Sequence, residues 1–303
     1  MVKSAVGRKY AGSGRYYLNI GHTGLDDPGF EKWVKGAGVR PIYLVHDLIP
    51  ITHPEYCRAG EQARHERRMR AVLSTATGVI GNSRATIDEL SAFSRSVDLE
   101  MPPAVAAWLG TPAPSLQRTG TAADRPTFVV LGTIEARKNH LMLLQLWKRL
   151  IERLKATTPR LLIIGQRGWE CEEVFDLLDR DETLRSAVEE LGDCSDEAMM
   201  GHLANARALL FPSLVEGYGL PLVEALQVGT PVIASDLPVF REIGQGVPDF
   251  VDPLDEPGWE EAILSYAQGD SSRRASQLSR MERFRTPTWK SHFAKIDSWL
   301  AGL

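Results

Sequence analysis

From residue 127 onward, short β-branched or apolar runs alternate with stretches in which apolar residues return every three or four positions. The successive pairs are 127–132 then 141–154, 161–165 then 174–178, 208–211 then 220–228, and 231–235 then 240–243. Strand, helix and strand at this spacing predict βαβ units and a parallel, doubly wound sheet. Phe128-Val129-Val130-Leu131 and Leu161-Leu162-Ile163-Ile164 are apolar without interruption, as strands covered by helices on both faces must be. Ligands of such sheets bind beyond the carboxyl ends of the strands.

The earlier part of the chain repeats this logic less completely. Strands are expected at 16–20, 41–45 and 78–81, with helices near 60–74 and 85–93, enough for a small sheet of three or four strands. Pro102-Pro103, Pro112, Pro114 and the polar stretch 115–126 carry no apolar period and have the composition of a linker. The boundary is therefore expected near residue 120. At the other end, Trp289, Phe293, Ile296 and Leu300 fall at helical spacing. The expected plan is a first domain over 1–120, a second over 121–285, and a terminal helix in 286–303 packing back on the first.

Composition narrows the partners. With 303 residues and 43% apolar content, two cores can be built. A net charge of −4 leaves no uniform field for nucleic acid or an anionic membrane. Residues 1–115 carry 14 Lys/Arg against 11 Asp/Glu, a net of +3, which leaves −7 for the remainder. No apolar run approaches the ~20 residues of a membrane span, and the start lacks a signal-peptide core, so a cytoplasmic location is expected. Cys57, Cys171 and Cys194 are odd in number and far apart, which excludes a disulfide framework or a C-x-x-C clip, and all three are expected to be buried thiols.

The segment 213–224, Ser-Leu-Val-Glu-Gly-Tyr-Gly-Leu-Pro-Leu-Val-Glu, follows a buried strand and opens a helix. Pro221 suits the first helical turn, so the free amides of Gly219, Leu220 and their successors form an anion site. Glu216 in the loop and Glu224 in the helix then suit hydroxyls flanking a phosphate, as in a sugar nucleotide. The alternative is a tight strand–helix turn in which Glu224 only favours the helix dipole. At the end of the first strand of this half, Gly132-Thr133-Ile134-Glu135-Ala136-Arg137-Lys138-Asn139-His140 places an Arg fork and a Lys point charge where ligands bind. That pair suits a diphosphate, or else is a solvated surface pair. In the first domain, His46 and Asp47 sit at a strand's carboxyl end. A histidine there can hydrogen-bond a reacting hydroxyl or serve as a satisfied structural group.

These blocks resemble the nucleotide-sugar domain of retaining glycosyltransferases of family 4. The resemblance rests on G-T-x-x-x-R-K-N, on Phe-Pro-Ser-x-x-Glu-Gly-Tyr-Gly-Leu-Pro-x-x-Glu-Ala, and on Gly229-Thr230-Pro231-Val232-Ile233-Ala234-Ser235. It implies an α/β GT-B fold of two Rossmann-like doubly wound domains with an interdomain cleft, the N-terminal one reduced, because only 45 residues precede His46. It implies donor binding by Gly132, Thr133, Arg137, Lys138, Gly217, Tyr218, Gly219, Leu220 and Glu224. Arg137 and Lys138 would hold the diphosphate, Glu216 the transferred sugar and Glu224 the ribose. The loop after Gly165 and the 192–196 turn would frame the base. The segment with His46-Asp47-Leu48, Pro54-Glu55-Tyr56 and Gly81-Asn82-Ser83-x-x-Thr86 resembles members in which the matching His lies beside the donor sugar, so His46 joins Glu216 as catalytic, with Asp47 and Ser83 on the acceptor side.

The activity so implied is metal-independent hexosyl transfer, mannose favoured, from a GDP- or UDP-sugar to a glycan or lipid-linked glycan, with no cofactor. The rivals are a sugar-nucleotide-binding protein without transferase activity and a GT-B epimerase. Gly12-Ser13-Gly14 mimics the family's Gly-rich loop but precedes a strand, and is read as a chance match. Arg64, Arg67, Arg68 and Arg70 crowd one helix, either as a solvated face or as a contact for anionic lipid at the inner membrane face.

Overall fold

The computed structural model describes residues 15–112 and 125–303. Gly12, Ser13 and Gly14 and most of the linker expected at 115–126 lie outside the described residues. The chain divides into two units, Met1–Leu109 with Lys290–Leu303, and Gly110–Trp289.

The first unit runs β1 (Tyr16–Asn19), α1 (Phe30–Ala37), β2 (Arg40–Val45), α2 (Ile49–Thr52), α3 (Glu61–Thr75), β3 (Gly78–Gly81), α4 (Arg84–Ser96) and β4 (Ala104–Ala106). Its sheet is parallel in the order β1-β2-β3-β4. Tyr43, Val45, Met69, Val72, Val79 and Leu90 are fully buried between sheet and helices. β4 falls inside the Pro-rich stretch expected to be linker. Pro103 disfavours helix in the residue before it and leaves extended backbone available, so Ala104–Ala106 pairs with β3 at an edge.

The second unit runs β5 (Thr127–Leu131), α5 (His140–Leu154), β6 (Arg160–Ile164), α6 (Glu172–Arg180), β7 (Val188–Leu191), α7 (Asp196–Asn205), β8 (Ala208–Phe211), α8 (Leu220–Gln227), β9 (Val232–Ser235), α9 (Pro238–Ile243), β10 (Asp249–Val251), α10 (Glu256–Ala267) and α11 (Ser272–Met281). All its strand pairs are parallel, in the order β10-β9-β8-β5-β6-β7. The first strand of this unit, β5, thus lies beside the fourth, β8. The strand order reverses between them, which opens a crevice at their carboxyl ends. Trp147 of α5 anchors the core, fully buried, edge-on to Phe128 at 6.1 Å and donating to Pro159 O at 2.9 Å. Its gross burial contributes about 4–6 kcal/mol.

The last helix, α12 (Trp289–Leu300), packs Ile296 against Ile42 and Ile80 of the first unit. Tyr16 Oη donates to Leu300 O at 3.2 Å and Arg40 to Leu303 O at 2.9 Å. Of the cysteines, Cys171 is buried, whereas Cys57 and Cys194 are half-exposed. The expectation of three buried thiols fails because Cys57 and Cys194 occupy the polar turns leading into α3 and α7. Among the described residues, no helix is long and apolar enough to cross a membrane.

Candidate donor site

The loops after β5 and β8 meet at the crevice, tied by Leu214 N donating to Arg137 O at 2.8 Å. Close packing makes room for them. A Cβ on Gly165, at the end of β6, would sit 2.1 Å from Gly132 O, so only glycine lets the loops after β5 and β6 approach. Gly219 precedes α8 at φ 110°, where a Cβ would also come within 2.7 Å of the Phe240 ring. It turns the chain so that α8 opens at Leu220, whose amide stands at the helix start; Pro221 has no N–H to leave unpaired, and Leu222 N donates back to Gly219 O at 3.1 Å.

Glu216 is the hub of this crevice, its side chain 8% exposed. One carboxylate oxygen accepts from Lys138 Nζ and, at 2.9 Å, from Ser213 Oγ. The other accepts from Arg137 at 3.0 Å. Arg137 Nε also donates to Glu135 at 3.1 Å, and Lys138 Nζ stands 5.2 Å from the Phe211 ring centroid. Two cations therefore face two carboxylates in a largely dry crevice, each able to exchange a carboxylate for a phosphate oxygen. Ser213, fully buried, was not singled out from the sequence. Its place three residues before Glu216 in a tight turn was the available signal.

The other residues expected to bind a donor differ in exposure. Gly132 and Gly217 are half-buried, Thr133 and Leu220 are exposed, and Tyr218 is buried. Glu224, in the second turn of α8, is half-buried, and burial together with the charge of Asp196 raises its carboxyl pKa. Such a carboxyl is poised to bind a hydroxyl rather than a second anion.

In the first unit, His46 and Asp47 follow β2. His46 Nε2 lies 2.7 Å from Ile20 O, and Asp47 Oδ1 accepts from Ile49 N at 3.0 Å in the turn that leads into α2. Ser83 has no exposed surface. Its hydroxyl accepts from Thr86 N at 3.0 Å as the N-cap of α4, a structural task that leaves it unavailable to an acceptor. Glu89 of α4 accepts from Leu48 N, and burial beside Asp47 pushes its carboxyl up to about 7. On α3, Arg64 and Arg68 pair with Asp26 at 2.9 and 3.4 Å, and Arg64 also pairs with Glu61 at 3.3 Å, two carboxylates for two guanidiniums. Only Arg67 and Arg70 of that basic cluster project without an ion pair among the described residues, which removes half the charge offered to a lipid surface.

Comparison with known proteins places these features in context. Residues 115–246 match the family model described as glycosyl transferases group 1. The chain is 31% identical over 234 residues to a serotype-specific mannosyltransferase WbdA of Escherichia coli, covering 70% of this chain and 28% of that protein. It is 28% identical over 260 residues to O-antigen chain mannosyltransferase B of Escherichia coli, covering 83% of this chain and 68% of the relative. The chain thus spans little more than a quarter of the length of the WbdA relatives it matches. The structure resembles a sucrose-phosphate synthase from Thermosynechococcus elongatus with a TM-score of 0.65 at 19% identity, covering 97% of this chain and 74% of that one. Two parallel α/β units with such neighbours make the fold GT-B, and its second unit carries the stretch similar to glycosyl transferases group 1.

Proposed function

We propose that the chain is a retaining glycosyltransferase acting in cell-surface polysaccharide synthesis. It would move a mannose from a nucleoside diphosphate sugar, GDP-mannose first, to a hydroxyl of a glycan or lipid-linked glycan. The observation that carries this reading is the Arg137–Lys138–Glu216 cluster at the β5–β8 crevice, beside the opening of α8. An entering diphosphate takes Glu216's place on Lys138 and Arg137 and meets the amides of α8. Glu216, released, accepts from a hydroxyl of the transferred sugar, and Glu224 accepts from the ribose. The similarity to mannosyltransferases supports the choice of sugar.

In the reaction, the bond from the anomeric carbon to the diphosphate oxygen breaks and a bond to the acceptor oxygen forms on the same face. The acceptor's proton leaves with the departing diphosphate. Arg137, Lys138 and the helix amides neutralise the charge developing on that leaving group, a role that needs preorganised donors rather than a resident metal or cofactor. By the resemblance of its segment, His46 attends the donor sugar. The test is release of free nucleoside diphosphate from GDP-mannose with a mannoside acceptor, followed with and without EDTA. Release that needs the acceptor and survives EDTA is expected. Nucleotide binding without transfer to any acceptor would favour the non-catalytic reading, and recovery of a second sugar isomer from donor alone an epimerase.

A further inference from the structure

Three imidazoles converge at the carboxyl end of β2, and only one of them, His46, has a part in the reaction proposed above. His22 lies between β1 and α1, flanked by Gly21 and Gly24, with a φ of 55°. Left-handed backbone costs a residue bearing a side chain on the order of 1 kcal/mol, so the position is held by what the ring does. That ring is buried, with Nε2 2.9 Å from Leu44 O. It meets His46 edge-on at 5.5 Å on one side and His65 of α3 at 5.5 Å on the other.

A carbonyl oxygen can only accept, so each ring carries a proton on Nε2. His22 donates to Leu44 O, His65 to Asp47 O at 3.1 Å, and His46 to Ile20 O at 2.7 Å. In neutral His46 the lone pair is therefore on Nδ1, the form that accepts a hydrogen bond from a sugar hydroxyl. The backbone beside it is held as well, since Asn82 Nδ2 donates to His46 O at 2.7 Å. Carbonyls of residues 44, 46 and 47 are thus each tied by a side chain from a different element.

We propose that His22 is a positioning residue for His46: by its hold on the Leu44 carbonyl and its edge contact it anchors the 20–22 segment, whose Ile20 carbonyl accepts from His46 and so fixes the imidazole as its Nε2–H tautomer. The inference rests on the role given to His46. The charges around the cluster suit it. His22 faces His46 at the end of β2 and His65 and Arg68 of α3, Asp47 and Glu61 act on His65, and Glu89 of α4 acts on Asp47. Burial and the neighbouring imidazoles hold His22 down at about 4. The central ring therefore stays uncharged through the neutral range and sets no cation against His46.

The experiment compares His22→Phe, which keeps the ring and loses the donor, with His22→Gln, whose amide nitrogen reaches as Nε2 does. Turnover should fall tenfold to a hundredfold in His22→Phe and recover largely in His22→Gln. The nucleotide-induced shift in melting temperature, which the second unit supplies, should match wild type in both. Nitrogen NMR of the full chain should show His46 as the Nε2–H tautomer in wild type and His22→Gln, and a tautomer mixture in His22→Phe. Wild-type turnover and an unaltered His46 spectrum in His22→Phe would overturn the proposal, as would an Nδ1–H tautomer of His46 in the wild-type chain. If the wild-type chain transfers nothing, the reaction reading fails, while the spectra still decide the positioning role.

Discussion

Replacing Glu216 by Gln removes one of the two carboxylates that balance Arg137 and Lys138, and takes the local sum from zero to +1. Two effects of opposite sign follow. The unliganded chain loses the partner of a Lys138 side chain that is only 10% exposed. Breaking a buried pair costs about 3–5 kcal/mol, and the partly exposed Arg137 and the retained amide bring the expected loss to about 1–3 kcal/mol. Nucleotide affinity moves the other way. A phosphate charge ~6–8 Å from the removed carboxylate is relieved of about 2 kcal/mol of repulsion at an effective dielectric of 20, so GDP should bind at least tenfold tighter. Sugar transfer should nevertheless collapse, because the amide holds the sugar hydroxyl less strongly than the carboxylate. Calorimetric titration of GDP, a thermal melt without ligand and the release assay read the three quantities. Weaker GDP binding in the variant would refute the exchange of carboxylate for phosphate on Lys138.

Three further outcomes are expected. Gly165→Ala should lower stability by several kcal/mol, or abolish folding, because its Cβ would meet Gly132 O at 2.1 Å with backbone on both sides; a melt within a degree or two of wild type would contradict the close approach. Glu89 is protonated more readily in the folded than in the unfolded chain, from an ordinary 4.5 up to about 7. The stability it contributes is fully present below pH 4.5 and is lost as pH rises through 7. Discounted for partial exposure, Glu89→Gln should therefore be about 1–2 kcal/mol more stable than wild type at pH 8 and equal to it near pH 4.5, as denaturant melts at the two pH values would show. Trp147→Phe should cost about 2–4 kcal/mol, losing indole volume and leaving Pro159 O without its donor; a change below 1 kcal/mol in a urea melt would contradict the anchoring role.

In the second unit β10, α7, α10 and α11 went unread from the sequence, whereas β5, β6, β8 and β9 with α5, α6, α8 and α9 were legible because these strands are apolar almost throughout and their covering helices keep their period. β7 was not, because Val188-Glu189-Glu190-Leu191 is an edge strand whose glutamates pair with Arg160 and Arg167, which hides any apolar signal. α1 escaped as well, since eight residues with Gly36 among them, capped by no side chain, bury only Phe30 and Val34. The crevice residues Arg137, Lys138, Glu216 and Gly219 could be named from motif and strand ends alone. Their mutual pairing could not, since no spacing rule joins positions 78 residues apart. His22 and His65 stayed hidden for the same reason: the parallel pairing of β1 with β2 brings His22 to His46, and packing of α3, tied by His65 to Asp47 O, brings His65 there.

The central claim, a diphosphate site at the β5–β8 crevice, is tested most directly by melting the chain with GDP, UDP, ADP and dTDP, each far above its expected Kd, beside a Lys138→Ala control. Occupancy of the folded state at about 100 times Kd adds about 2.7 kcal/mol. The account predicts a clear upward shift with one nucleotide, GDP first, that Lys138→Ala abolishes or greatly reduces. No shift with any of the four, or a shift that Lys138→Ala leaves intact, would contradict it.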